Sequence, residues 1–283
     1  MFKLGVASMS GSFKSIFVHG VLKGLGEQLQ KIDVFAACSS SCIPMAYASC
    51  NELEKISLDY WIQCAKFKRE GRSMSFVSKW SIKTMMSDLS EMLFDYDNPL
   101  LLISVSRVIN EQAKLLTQTD QASRLGRKLL LDAAKNIEEW TKENLISEVY
   151  SRSDYFGKKY TPENIQDVFY SSSRMLHAWP EAGAIDGQAY IDGCYTEFCP
   201  ITPLQNINCE RVVAILTEPI PVKKNLTSSL PLIGKYMEHK TKIISPDFDL
   251  KEIGVDFASV SDDGLRIAFE LGLEKGRQIR FDD

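Results

Sequence analysis

Histidine is the scarcest of the catalytic side chains here: three among 283 residues, at positions 19, 177 and 239. A Ser-His-Asp hydrolase would have to draw on them, and the order Ser39, Asp192, His239 would suit an α/β-hydrolase. That fold places several strands before its nucleophile, whereas Ser39 follows a single βα unit, so the arrangement is disfavoured. Also missing is a Gly-x-Gly-x-x-Gly run after the first strand. The loop there holds Gly11 alone, which argues against a dinucleotide-binding domain. No Cys-x-x-Cys pair and no Cys/His cluster occurs, so neither a zinc site nor a disulfide framework is indicated. The seven cysteines (38, 42, 50, 64, 194, 199 and 209) are odd in number and read as reduced, mostly buried thiols. A reducing compartment follows.

Long hydrophobic runs are absent too. The longest, Leu100 to Ile103 and Leu129 to Ala134, are far too short to cross a bilayer. The start, Met1-Phe2-Lys3-Leu4-Gly5-Val6, lacks a charged region followed by a long apolar one, so no Sec-type signal peptide is expected. The expectation is a cytoplasmic protein that at most rests on a membrane surface. There is no excess of basic residues: a net charge of −4 speaks against a nucleic-acid partner. With 45% hydrophobic and 25% charged residues, the chain suits one α/β domain carrying an insertion.

What is present begins with Val34-Phe35-Ala36-Ala37-Cys38-Ser39-Ser40-Ser41-Cys42-Ile43-Pro44. An apolar run breaks into small residues, and a helical pattern follows. That is the outline of a nucleophile elbow, a strand and a helix joined by a sharp turn carrying a serine. Gly-x-Ser-x-Gly reads here as Ala37-Cys38-Ser39-Ser40-Ser41, with the next smallest residues in place of both glycines.

Around it the spacing predicts a strand over 2–8 and a helix through Val18, Val21, Leu22, Leu25 and Leu29. A buried strand is expected from Ile32 to Ala36, and a helix after Ser39 with Pro44 tolerated in its first turn. This is a compact βαβα unit with parallel strands. Residues 52–70 continue helical. From about 67 to 167 the segments 81–94, 100–118 and 123–149 carry helical periodicity, so a helical insertion is expected there. Its Met85, Met86, Met92, Leu100, Leu101 and Leu102 suit either helix-core packing or a lipid-facing lid. Later, Gly183 to Gly193 reads as a hairpin turning at Asp186-Gly187. Arg211 to Leu216 is a buried strand ended by Pro219 and Pro221, and a last helix starts with Asp262 or Asp263 as its cap.

Three short segments occur in a telling order. They are Ser10-Gly11-Ser12-Phe13-Lys14-Ser15 through Gly20-Val21-Leu22, then Ala37 to Ser41, then Asp192-Gly193-Cys194. Ser172-Ser173 lies upstream of the aspartate and Pro200-Ile201-Thr202-Pro203-Leu204 after it. In these segments the chain resembles the patatin-like phospholipase family, over residues 1–66 and 168–217. The resemblance implies a three-layer α/β fold with a mainly parallel central sheet flanked by helices. It implies a Ser-Asp dyad, with Ser39 as nucleophile and Asp192 as its general base. Asp186 also precedes a glycine, but it sits where a hairpin must turn.

The same resemblance assigns the oxyanion site to the loop at Ser10, Gly11 and Ser12, together with Ser40, acting through backbone N–H groups. Lys14 stands where the family has Arg or Lys, to steady the loop or attract an anionic head group. The implied reaction is cleavage of a carboxylic ester in a phospholipid or other acyl-lipid through an acyl-enzyme, without metal or organic cofactor. The implied partners are lipid and a protein activator. Two readings stay open: a turning-over hydrolase, and a patatin-like module that binds lipid or protein without turnover.

Overall fold

The computed structural model of the protein describes residues 2–135, 137–220, 241–257 and 259–281, so His239 and Pro221 lie outside it. Strand β1 (Leu4–Ser8) leads through a small-residue loop into α1 (Ser15–Leu25), then β2 (Val34–Ala37) and α2 (Cys42–Ser49). Both strands are buried throughout, which is why they read as apolar runs rather than as an alternation. Helices α3 (Leu58–Arg69) and α4 (Met74–Leu89) form a hairpin, and β3 (Leu100–Val108) follows. Next come α5 (Glu111–Gln118), α6 (Ala122–Ala134), α7 (Glu139–Asn144) and β4 (Leu145–Tyr150). The last third holds α8 (Ile165–Ser173), the hairpin of β5 (Ala184–Ile185) and β6 (Gln188–Asp192), α9 (Ile201–Asn206), β7 (Arg211–Ile215), β8 (Thr241–Ile244) and α10 (Asp262–Arg277). The hairpin turns at Asp186 and Gly187, both with positive φ (50° and 75°), as expected. Ser261, one residue before the expected cap, accepts the Gly264 N–H and caps α10.

The result is an α/β fold with one mixed, mostly parallel sheet flanked by helices. Its order is β5-β6-β3-β2-β1-β7-β8, with β4 pairing to β3 as well. Strands β3, β2, β1, β7 and β8 run parallel, whereas β4 and β6 run antiparallel to β3. One detail of register positions the site. Strand β2 pairs with β3 up to Ala37 opposite Ile103, and β6 pairs with it down to Asp192 opposite Val105. Strand β4 occupies the other edge from Ile103 to Val108, so β2 and β6 share one edge and run towards each other. They stop on either side of Ser104. The chain leaving β2 therefore meets the chain leaving β6.

The expected helical insertion needs correcting. Within 67–167 lie β3 and β4, and β3 is an interior strand of the sheet, not part of a cover. Its nine residues, Leu-Leu-Leu-Ile-Ser-Val-Ser-Arg-Val, are all buried except Arg107, so period-two alternation is erased. Leu100, Leu101 and Leu102 belong to this strand, and Met85 is wholly buried on α4; these side chains are core and not a lipid-facing lid.

Helices α1 and α10 pack so closely that side chains are excluded between them. A Cβ on Gly20 would stand 2.2 Å from Phe269 O, and one on Gly272 2.3 Å from Phe17 O. Gly24 and Gly276 repeat the pattern one turn on, at 2.2 Å from Leu273 O and Val21 O. Methyl groups there force the helices apart, which strains a packed core. Gly20→Ala and Gly272→Ala are each expected to lower unfolding free energy by about 1–3 kcal/mol, read from urea titrations. An exposed control, Gly71→Ala, tests only its positive φ.

Candidate active site

The elbow forms as the sequence suggests. Cys38 continues β2 in an extended conformation (φ −137°, ψ 156°), and Ser39 then turns to φ 59° before a 3-10 turn over Ser39–Ser41 runs into α2. A left-handed serine costs about 1–2 kcal/mol, so its neighbours have to hold it. The Ser39 N–H donates to Ser172 Oγ at 3.0 Å, and that hydroxyl donates in turn to Ser104 O at 2.8 Å. Ser41 Oγ donates to Cys38 O at 2.7 Å, so the serine in the second glycine position ties the turn shut. Ser39 itself faces the start of a helix, a field that favours developing negative charge.

Opposite it stands Asp192, fully buried at the end of β6. Its Oδ1 accepts the Cys194 N–H at 2.9 Å. Oδ2 is the one buried carboxylate oxygen among the described residues with no hydrogen-bond partner. The Ser39 hydroxyl is near enough to favour the charged carboxylate, yet it closes no hydrogen bond of normal geometry to Oδ2. Burial nevertheless dominates and pushes the Asp192 pKa up to about 7, against the lowering by Cys194 and Ser39. Gly193 is what allows this approach: a Cβ there would lie 2.3 Å from Ser104 O and 3.1 Å from Cys38 Cβ. Asp186 sits in its hairpin turn, as expected.

In the first loop the Ser10 N–H donates to Phe198 O at 3.1 Å, so Ser10, contrary to expectation, is not a free oxyanion donor. The N–H groups of Gly11, Ser12 and Ser40 donate to no acceptor among the described residues. The left-handed residue of this loop is Ser12 (φ 50°), while Gly11 is extended (φ −177°) and so uses no glycine conformation. Gly11 is needed for space instead: a Cβ would meet Thr217 Oγ1 at 2.8 Å, and that hydroxyl donates to Ser10 O. Ser40 Oγ shares a hydrogen bond of 2.7 Å with Ser15 Oγ, joining elbow and loop.

Lys14 is neither a solvated lysine nor an anion receptor. It is 2% exposed, and its Nζ pairs with Glu218 Oε1 at 2.7 Å and Asp249 Oδ1 at 2.9 Å. The loop-steadying role fits this placement; the head-group role does not.

Ser12, Ser39 and Ser40 open on a narrow cavity of about 50 Å³. Its remaining wall is mainly apolar, with Tyr60 and Trp61 from α3, Met74, Val77 and Ile82 from α4, and Phe169 and Trp179 beyond. A polar end and an apolar wall suit an acyl group entering carbonyl first. His19 and His177 do not border this cavity; His19 Nδ1 accepts the Trp61 Nε1–H at 3.1 Å. Cys38 is buried, and burial with the nearby Asp192 charge lifts its thiol well above the usual range, so it is inert.

Ser172 and Ser104 carry the elbow, yet nothing in the residues around them marks that role; only the Ser172-Ser173 pair is notable, as one of the segments in which the sequence resembles the patatin-like pattern. No protein-family model and no curated protein matches this chain. No group of three or more His, Cys, Asp or Glu able to hold a metal occurs among the described residues. Nor is any of their helices long and apolar enough to cross a membrane.

Removing one member of a buried ion pair strands the others. Lys14→Met is expected to cost about 3–5 kcal/mol of stability by leaving Glu218 unpaired, measured by urea denaturation. The double variant Lys14→Met/Glu218→Leu should recover a large part of it.

Proposed function

We propose that this protein is a patatin-like serine acyl hydrolase that cleaves carboxylic esters of lipids. The observation that carries the reading is Asp192 Oδ2, buried and unpartnered beside the hydroxyl of a serine held at positive φ on a strand-helix turn. A serine hydroxyl attacks only when a base takes its proton. Here Oδ2 takes the Ser39 Oγ proton as Oγ adds to the ester carbonyl. The oxyanion then faces the N–H groups of Gly11, Ser12 and Ser40, a class of contact whose loss costs about 10²–10³ in rate. Collapse of the adduct expels the alcohol, which takes the proton from Asp192. The acyl group remains on Ser39. Water attacks it next, giving its proton to Asp192, and the fatty acid leaves as that proton returns to Ser39 Oγ.

A base with a pKa of about 7 matches proton transfer near neutrality. Because Asp192 must be ionised to act, acyl-ester hydrolysis should rise with pH through about 7 and then level off. Ser39→Ala and Asp192→Asn are each expected to lower fatty-acid release from phospholipid and short acyl esters by about a thousandfold or more. A fluorophosphonate should label the wild-type Ser39 and spare the Ser39→Ala variant. Hydrolysis that survives Ser39→Ala would refute the dyad. Labelling and release both absent, with or without host-cell extract as activator, would leave the module that binds lipid or protein without turnover.

The same carboxyl makes a stability prediction. Its folded pKa of about 7 lies above the ordinary value of 3.8, so between those values the folded protein holds a proton that the unfolded chain has lost. Stability from this group is present below about pH 4 and is lost as pH rises through about 7. An asparagine side chain cannot ionise, so Asp192→Asn should unfold later than wild type at pH 8, by about a few kcal/mol. At pH 4 the advantage should vanish. Thermal melts across pH on both proteins measure it.

A further inference from the structure

The outer face of the α3–α4 hairpin departs from the charge of the rest of the chain. Residues 66–83 hold six cations, Lys66, Lys68, Arg69, Arg72, Lys79 and Lys83, against Glu70 alone, in a protein of net charge −4. Two of the six are neutralised: Arg69 pairs with Asp262 at 2.9 Å, and Lys79 with Glu181. Lys66, Lys68, Arg72 and Lys83 form no ion pair among the described residues, and three of them are exposed, with Lys68 half-buried. Phe76 beside them in sequence is 37% exposed, with the Arg72 guanidinium 5.1 Å above its ring. Its other edge rests on Phe67, ring centres 5.3 Å apart.

The inner face of the same two helices supplies Trp61, Cys64, Met74, Val77 and Ile82 to the cavity at Ser39. One layer of helix thus separates a cationic, aromatic surface from the candidate acyl site. Lys and Arg with an interleaved aromatic ring on a surface helix match an anionic bilayer interface: the cations meet lipid phosphates, and the ring enters the headgroup region. A nucleic acid would use the same charges, but the mainly apolar cavity behind this face offers it nothing further.

We propose that the outer face of the α3–α4 hairpin docks this protein on anionic lipid surfaces, with the Ser39 cavity one helix layer away from the bilayer. The inference deepens the hydrolase reading and rests on it for the substrate, though docking itself requires no turnover. The test uses the full chain carrying Ser39→Ala, co-sedimented with phosphatidylcholine vesicles and with vesicles containing about one third phosphatidylglycerol. Partition should be confined to the anionic vesicles and fall steeply with added salt. Lys66→Gln, Arg72→Gln and Lys83→Gln together should reduce it by about tenfold or more. Phe76→Ser alone should weaken it several-fold while leaving the salt dependence intact.

Circular dichroism melts unchanged from the parent show that the variants fold, and single Gln replacements serve where the combined variant does not. Equal partition onto neutral vesicles, no loss in the charge variants, or capture by a single-stranded oligonucleotide without vesicle binding would each overturn the proposal. A chain that docks yet releases no fatty acid keeps this surface and loses the hydrolase reading. One that cleaves a soluble short-chain ester in wild-type form and ignores anionic vesicles loses the surface alone.

Discussion

The relation between Ser39 and Asp192 depends on one backbone carbonyl, that of Ser104 in the middle of β3. Strands β2 and β6 approach it from opposite directions along one edge and stop one residue short on either side. The Ser39 side is tied to it through Ser172, whose hydroxyl links the Ser39 N–H to Ser104 O. The Asp192 side is pressed against it by Gly193, which has no room for a Cβ at 2.3 Å from that oxygen. The two candidate groups are therefore placed by the backbone of a central strand rather than by flexible side chains. Preorganisation of this kind is what the proposed nucleophile-base pair would require.

Strain in the site falls on serines. Ser12 and Ser39 both adopt positive φ, where glycine would be unstrained. The glycine that survives in the loop, Gly11, is extended and is kept by the Thr217 side chain packed against it. Each strained serine is braced from outside its own loop: Ser39 by Ser172 on α8, and Ser12 by a loop tied to β7. Met9 N–H reaches Ile215 O, Thr217 Oγ1 reaches Ser10 O, and Lys14 reaches Glu218. Of the serines that stand at glycine positions of the resembled pattern, Ser12 takes a glycine conformation and is held by bonds from distant segments, whereas Ser41 is unstrained at φ −69°.

How much was legible in the sequence follows from whether a feature is local. The β1-α1-β2-α2 unit, the turn at Ser39 and the hairpin at Asp186-Gly187 are each specified within short stretches of chain, and each stands where the pattern puts it. Strand β3 was not legible, since burial on both faces removes alternation and its leucine-rich start also suits a helix. Missing it turns an interior strand into an imagined helical cover and hides why Ser39 and Asp192 converge. Lys14 was equally opaque: its partners Glu218 and Asp249 are 204 and 235 residues away, so nothing nearby reveals a buried ion pair. The Ser10 N–H is consumed by Phe198, again far along the chain.

Glu148 shows by contrast how unusual Asp192 is. Glu148 accepts Arg107 Nε at 2.6 Å on one oxygen, and Tyr190 OH at 2.7 Å with Lys158 nearby on the other. That is how a fold satisfies a carboxylate it keeps for structure. Asp192 is more deeply buried and, among the described residues, has no cation in contact and no partner for Oδ2. An orphaned buried acceptor costs about 1–3 kcal/mol, and a charged one more. Packing alone gives no reason to retain it: asparagine in the same place would keep the Cys194 contact and carry no charge. An acid that destabilises its own fold, and whose free oxygen has a serine hydroxyl as its neighbour, is what the proposed transfer of a proton from Ser39 would require.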